Sequence, residues 1–145
     1  LSTTVWIISA FTLAHSITLT ATALGWIIPS SRWVEFGIAI SVLFAALNNV
    51  KPIILRLGWL TFAFGLLHGM GFAGVLGELG LPGDQKLLSI LAFNLGVEIG
   101  QLAIVLVALP LLILLAKTAL YRRWVMPGVS IGIALVALNW AIERF

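Results

Sequence analysis

Three ionisable side chains, His15, His68 and Glu98, stand inside long apolar runs. An ionisable group inside a membrane-length apolar run is costly, so each is a functional candidate by default. Glu98 has Asn94 at i−4 and Gln101 at i+3. A helix puts all three on one face, where a carboxylate and two carboxamides can line a cavity or ligate a cation. His15 lies in FTLAHSITLT, beside Ser16, with Thr12, Thr18 and Thr22 at −3, +3 and +7. His68 lies in FGLLHGMGFAGVL, where Gly65 and Gly69 form a small-xxx-small pair that lets a second backbone approach the imidazole. Two neutral imidazoles and a carboxylate from three helices suit a first-row divalent ion such as nickel, cobalt, zinc or iron(II), with Asn94, Gln101 or Ser16 as weaker oxygen donors. The chain has no cysteine, which excludes thiolate metal sites, disulfides and cysteine nucleophiles.

Each candidate also has a structural reading. Glu98 as a protonated carboxyl would tie two helices by hydrogen bonds, and His15 would do the same as a structural donor. His68 would be incidental to a packing helix, and the threonines would bond their own helix backbone. Asn48 and Asn49, just before Lys51-Pro52, read as helix-capping residues. Gly96 and Gly100 make a further small-xxx-small pair near Glu98, expected to admit another helix.

The elements that must hold these residues follow from composition. Of 145 residues, 61% are hydrophobic and only 9% charged, with a mean hydropathy of +1.17. Soluble domains carry about 25% charged residues, so a water-soluble fold is excluded. Membrane-crossing helices need about 20 apolar residues, and five such stretches occur, at about 3–24, 33–49, 53–77, 87–116 and 125–142. The expected fold is an all-α polytopic transmembrane bundle in a single domain, 1–145, with short loops and any chemistry among the helices. The fourth stretch contains Pro110 and is roughly 45 Å long, so it should tilt, kink or protrude. Trp26, Trp33, Trp59, Trp124 and Trp140 fall near span ends, as interfacial anchors.

Eight Lys or Arg against five Asp or Glu give a net charge of +3. These basic residues are too scattered for nucleic-acid binding and fit a topology bias instead. Lys51 with Arg56, and Lys117 with Arg122 and Arg123, mark cytoplasmic loops, while the other two loops carry only Arg32 and Lys86. Leu1 is then expected on the cytoplasmic side and Phe145 outside. An odd number of spans and an abrupt apolar start suggest a further helix before Leu1, making six in a full-length protein. Glu35, Glu78, Asp84 and Glu143 lie at span ends or in loops, where solvation accounts for them.

At the same residues the sequence resembles a known family. FTLAHSITLT around His15, FGLLHGMGFAGVL around His68 and LLSILAFNLGVEIGQL around Glu98 look like the three signature stretches of the HupE/UreJ membrane proteins, in their second branch. The resemblance covers nearly the whole chain. Members of that branch often carry an extracytoplasmic region before the membrane part. The family is associated with hydrogenase and urease maturation, and its better-known branch is regarded as nickel permease-like. The resemblance therefore implies a bacterial inner-membrane protein in which His15, His68 and Glu98 handle metal. The His-x-x-x-Asp-His helix pattern of nickel permeases does not occur here.

Three readings compete. In the first, the chain is a divalent-metal permease or metal-handling protein with a His/His/Glu site near the midplane, and not an enzyme. In the second, it is an accessory subunit of a larger membrane complex, or a homo-oligomer, with glycine-rich docking faces and a structural polar trio. In the third, His15 and His68 are axial ligands of one haem. A Ser16 nucleophile paired with His15 is disfavoured, because adjacent helical positions point about 100° apart.

Overall fold

The computed structural model describes residues 2–54, 57–78 and 85–145. Leu1, Arg56 and residues 79–84 of the third connection, all used in the reading of topology, lie outside the described residues. The elements are α1 (Ser2–Ala23), α2 (Ser31–Val50), α3 (Leu57–Glu78), α4 (Lys86–Leu115) and α5 (Met126–Arg144), with a π-helical turn at Tyr121–Val125 leading into α5. Among the described residues, four stretches are long and apolar enough to cross a membrane: Thr4–Ala23, Ser31–Val50, Leu87–Leu115 and Tyr121–Arg144. The chain is thus an all-α, multi-pass membrane bundle. The helix α3 occupies the expected third position and is 22 residues long.

Local chemistry sets the helix ends. The last turn of α1 closes on Gly25, whose φ of +78° is the left-handed conformation that glycine adopts without penalty. The Gly25 N–H then donates to Thr22 O and the Trp26 N–H to Ala21 O, both at 2.9 Å, which satisfies two end-of-helix carbonyls. Asn48 does more than cap α2. Its Oδ1 accepts from the N–H groups of Ile53 at 2.8 Å and Ile54 at 3.0 Å, and its Nδ2 donates to Ile54 O at 3.3 Å. These bonds hold Ile53 and Ile54 out of helix, and α3 is described from Leu57 rather than from residue 53.

The α4 helix runs unbroken through Pro110 to Leu115, about 45 Å at 1.5 Å per residue. The expected loop at 117–123 proves shorter. The Thr118 hydroxyl accepts from the Tyr121 N–H at 3.3 Å, an N-cap that restarts the helix, so Arg122 and Arg123 sit on a helical turn instead of in a loop.

Two helix pairs and one outlier build the bundle. The first pair is α1 on α3, the second is α2 on α5, α2 and α3 join them, and α4 touches α1 lightly. Small residues make both pairs close. On α5, Ser130, Ala134, Ala137 and Ala141 are buried at helical spacing, presenting a thin face to α2. One end of this pair is fastened by Arg144 Nη1 to Glu35 Oε2 at 2.9 Å and by the Arg32 Nε–H donating to Arg144 O at 3.1 Å. Glu35, expected to be simply solvated, is thus an ion-pair partner. Between α1 and α3 a Cβ at Gly65 would lie 2.5 Å from Phe11 O, and one at Gly69 would run into His15 O and the Thr18 hydroxyl. The expectation for Gly65 and Gly69 holds. Gly96 and Gly100 meet no helix of this chain among the described residues: no described atom comes within 4 Å of where their Cβ atoms would be.

Candidate functional site

The α1–α3 seam holds both histidines. His15 is 2% exposed, because Gly69 opposite it admits the α1 backbone at closest approach. Its ring stacks on Phe11, one turn earlier, at 6.1 Å between centroids, and meets the edge of Phe72 from α3 at 5.7 Å. His68 meets the same Phe11 ring at 5.4 Å and 63°. The two imidazoles therefore flank one phenyl ring, and aromatic packing holds both in place. Phe11 therefore stands where a haem held by both imidazoles would have to lie.

Hydrogen bonding distinguishes the two histidines. His68 Nδ1 lies 2.8 Å from Phe64 O. A carbonyl only accepts, so this nitrogen carries a proton, and Nε2 is the ring nitrogen left for another partner. His15 Nδ1 is buried with no hydrogen-bond partner. A buried polar atom without a partner costs about 1–3 kcal/mol, so its persistence asks for a reason. Thr22 Oγ1 and Asn94 Oδ1 are the other buried atoms left unpaired among the described residues.

The oxygen-bearing residues lie on the other side of α1. Thr12 is hydrogen-bonded to Gln101 at 2.8 Å and to Ile8 O at 3.0 Å. The Thr12 hydroxyl donates to Gln101 Oε1, the nearer acceptor, with Ile8 O on its own helix as the second acceptor within reach of the same proton. This contact ties α4 to α1. Glu98, one turn away, is exposed and lines a cavity of about 240 Å3 with Ser9 and Thr12 of α1 and Leu102, Val105 and Pro110 of α4. Ser16 is half-buried on α1 beside His15.

Among the described residues no group of three His, Cys, Asp or Glu is placed to hold a metal ion. The expected single site of His15, His68 and Glu98 is therefore not assembled in this arrangement. The imidazoles face the α1–α3 seam and the carboxylate faces the α1–α4 seam. Spacing along one helix showed Asn94, Glu98 and Gln101 on one face but could not show which side of α1 that face would meet.

The sequence reading missed Phe11, which touches both imidazoles, and Phe64, whose carbonyl engages His68 Nδ1. Their i and i+4 spacing to His15 and His68 was the available signal. The threonine stripe also does more than bond its own helix, since the Thr18 hydroxyl reaches across to Leu66 O at 2.8 Å.

No curated protein and no solved structure matches the chain. A family model described as HupE / UreJ protein matches residues 1–144, a range that takes in all of the residues above. The chain therefore belongs to the HupE/UreJ family of membrane proteins, whose characteristic role is membrane transport and not catalysis.

Proposed function

We propose that the protein moves a divalent first-row transition-metal ion, nickel or a chemical neighbour, across the bacterial inner membrane. On this reading His15 and His68 are the nitrogen donors. Glu98, with Asn94, Gln101 and Ser16, is the oxygen side of the path. The observation that carries the proposal is the imidazole pair: two rings on adjacent helices, one with Nδ1 engaged at Phe64 O, the other with a buried unpaired Nδ1. Neutral imidazole is a preferred ligand for these ions, and a backbone carbonyl on the other ring nitrogen is the usual outer-shell support.

The two half-sites stand on opposite sides of α1, and α4 is the helix that packs least on the rest. On this reading α4 would have to swing around α1 to bring the carboxylate to the imidazoles. All five helices, α3 included, span the membrane as a single domain in this reading. Lys51 and Lys117 are cytoplasmic by the distribution of basic residues, which puts the Leu1 side in the cytoplasm and Phe145 outside.

A specific observation favours a second reading, an accessory subunit of a larger membrane complex or a homo-oligomer: the open Cβ positions of Gly96 and Gly100 on α4. Such a face accepts a neighbouring helix closely. Metal accumulation in cells expressing His15→Ala, His68→Ala and Glu98→Gln separates the two. The permease reading expects uptake to fall in the histidine variants, and unchanged uptake in all three would overturn it. A stoichiometric protein partner surviving purification in mild detergent would favour the accessory role.

A further inference from the structure

The geometry points to a water-filled vestibule between α2 and α3 that opens His68 to the aqueous phase on the Lys51 side, so that this structure is the state of the transporter open to that side alone. The inference rests on the reading of His68 as an ion ligand and adds the route by which the ion reaches it.

A cavity of about 250 Å3 has His68 on its wall, together with Ser41, Asn48 and Asn49 of α2 and Thr61 of α3. The rest of the wall is apolar, with Phe11, Val42, Phe44, Leu60 and Phe64 on it; a cavity larger than about 10–15 Å3 takes up water where it offers two to four polar partners, and the polar side of this one does so. Its polar groups are unequally committed. The Asn48 amide is used by residues 53 and 54, and the Ser41 hydroxyl donates to Ile38 O at 2.7 Å, which leaves lone pairs on Ser41 to accept from water. Thr61 adds a hydroxyl to the wall. With His68 Nδ1 held at Phe64 O, the ring atom left for a solvent molecule or ion is Nε2. Asn49 and Lys51, both exposed, lie at the end of α2 toward which the cavity runs. The Lys51 charge stands in water and is screened over about 8–10 Å, so it tunes the approach of a cation without closing the route.

Among the described residues, the cavities at His68 and Glu98 open in one half of the bundle. The Glu98 cavity, lined by Thr4 to Thr12 of α1 and by Glu98 to Pro110 of α4, lies in the same half of the bundle as the His68 cavity, the half that holds the start of α1 and the end of α2. In the other half α1 and α3 close on each other. Gly69 lies against His15, Thr18 and Leu19, the Thr18 hydroxyl bonds Leu66 O, and Phe72 of α3 meets Phe93 of α4 at 5.9 Å.

The chain has no cysteine, so single cysteines report accessibility without background. Thr61→Cys, Lys51→Cys and Ile40→Cys would be made in the full chain and treated in sealed vesicles of both orientations with a charged, membrane-impermeant thiol reagent. Lys51→Cys marks the side, and Ile40, exposed on the outside of α2, marks the lipid-facing surface. Thr61→Cys should react from the Lys51 side only, at least about tenfold faster than Ile40→Cys, because thiol reactivity follows exposure to water. Thr61→Cys that is as inert as Ile40→Cys, or that reacts from the opposite side, overturns the vestibule. If that variant does not fold, diethyl pyrocarbonate on the unmodified protein decides: His68 should be acylated at least about tenfold faster than the enclosed His15, and equal resistance of both contradicts the inference. Nickel binding measured on the same preparations keeps the proposals apart. An inert Thr61→Cys with nickel binding intact removes the vestibule and keeps the site, whereas a reactive Thr61→Cys in a protein that binds no nickel removes the site.

Discussion

The Nδ1–H of His68 donates to the carbonyl oxygen of Phe64, one turn earlier on α3, at 2.8 Å. That bond makes His68 more than a polar residue in an apolar helix. It places a proton on Nδ1, anchors the ring against rotation and leaves Nε2 as the nitrogen for ligation. Replacing His68 by Phe should keep the ring contact with Phe11 and the fold while removing the nitrogen. The expected result is a helical, monodisperse protein whose nickel or cobalt affinity drops by at least about tenfold, the lower end of what even outer-shell changes cost at metal sites. Isothermal titration calorimetry on the detergent-solubilised protein would measure it.

The closeness of α1 and α3 depends on two missing side chains. A Cβ at Gly65 would lie 2.5 Å from Phe11 O and 2.9 Å from Ala14 Cβ, and both are backbone or rigidly held atoms that cannot swing aside. Gly65→Ala and Gly69→Ala should each destabilise the protein by about 1–3 kcal/mol, the usual cost of overpacking. Gly74, with no described atom within 4 Å of its Cβ position, provides the contrast: Gly74→Ala should change stability by no more than about 0.5 kcal/mol beyond its helix-propensity gain. Thermal unfolding of the three variants in one detergent gives the comparison.

Interhelical hydrogen bonds of threonines should matter unequally. Thr18 is buried and reaches Leu66 O at 2.8 Å, so Thr18→Val removes a bond within the tighter pair and should cost about 0.6–1.7 kcal/mol. Thr12 is the polar tie to α4. Thr12→Val should cost less in global stability but loosen α4, seen as faster amide exchange over 94–105 with the α1–α3 seam unchanged.

How much of this was readable beforehand depends on the length scale of the signal. Helix positions follow from apolar runs, and the ends moved only where side chains intervened: Asn48 holds Ile53 and Ile54 out of helix, and Thr118 starts a helical turn where Arg122 and Arg123 were expected in a loop. The glycines illustrate the limit. Gly65-Gly69 and Gly96-Gly100 have the same spacing, yet one pair meets α1 and the other meets no described atom, because which face of a helix is covered is decided by neighbours distant in sequence. His15, His68 and Glu98 are individually conspicuous as ionisable groups inside apolar runs. Their division between two seams of α1 is a property of the assembled bundle that no spacing along one helix contains.

The clasp between Arg144 and Glu35 should be weak and salt-sensitive. Its side chains are 47% and 30% exposed, and exposed ion pairs contribute about 0.2–1 kcal/mol. Arg144→Ala should lower the unfolding midpoint slightly in dilute buffer, and the difference should shrink in about 1 M salt, where the screening length is near 3 Å.

The imidazole pair is the centre of the account, and equilibrium binding of cobalt(II) to the purified chain, followed by its visible absorption, tests it most directly, because that spectrum reports imidazole coordination as well as occupancy. The account predicts saturable binding by the unmodified protein, loss of the nitrogen-ligand spectrum in His15→Phe and in His68→Phe, and a folded double variant that binds no cobalt. A double variant that binds cobalt with unchanged affinity and spectrum would contradict it.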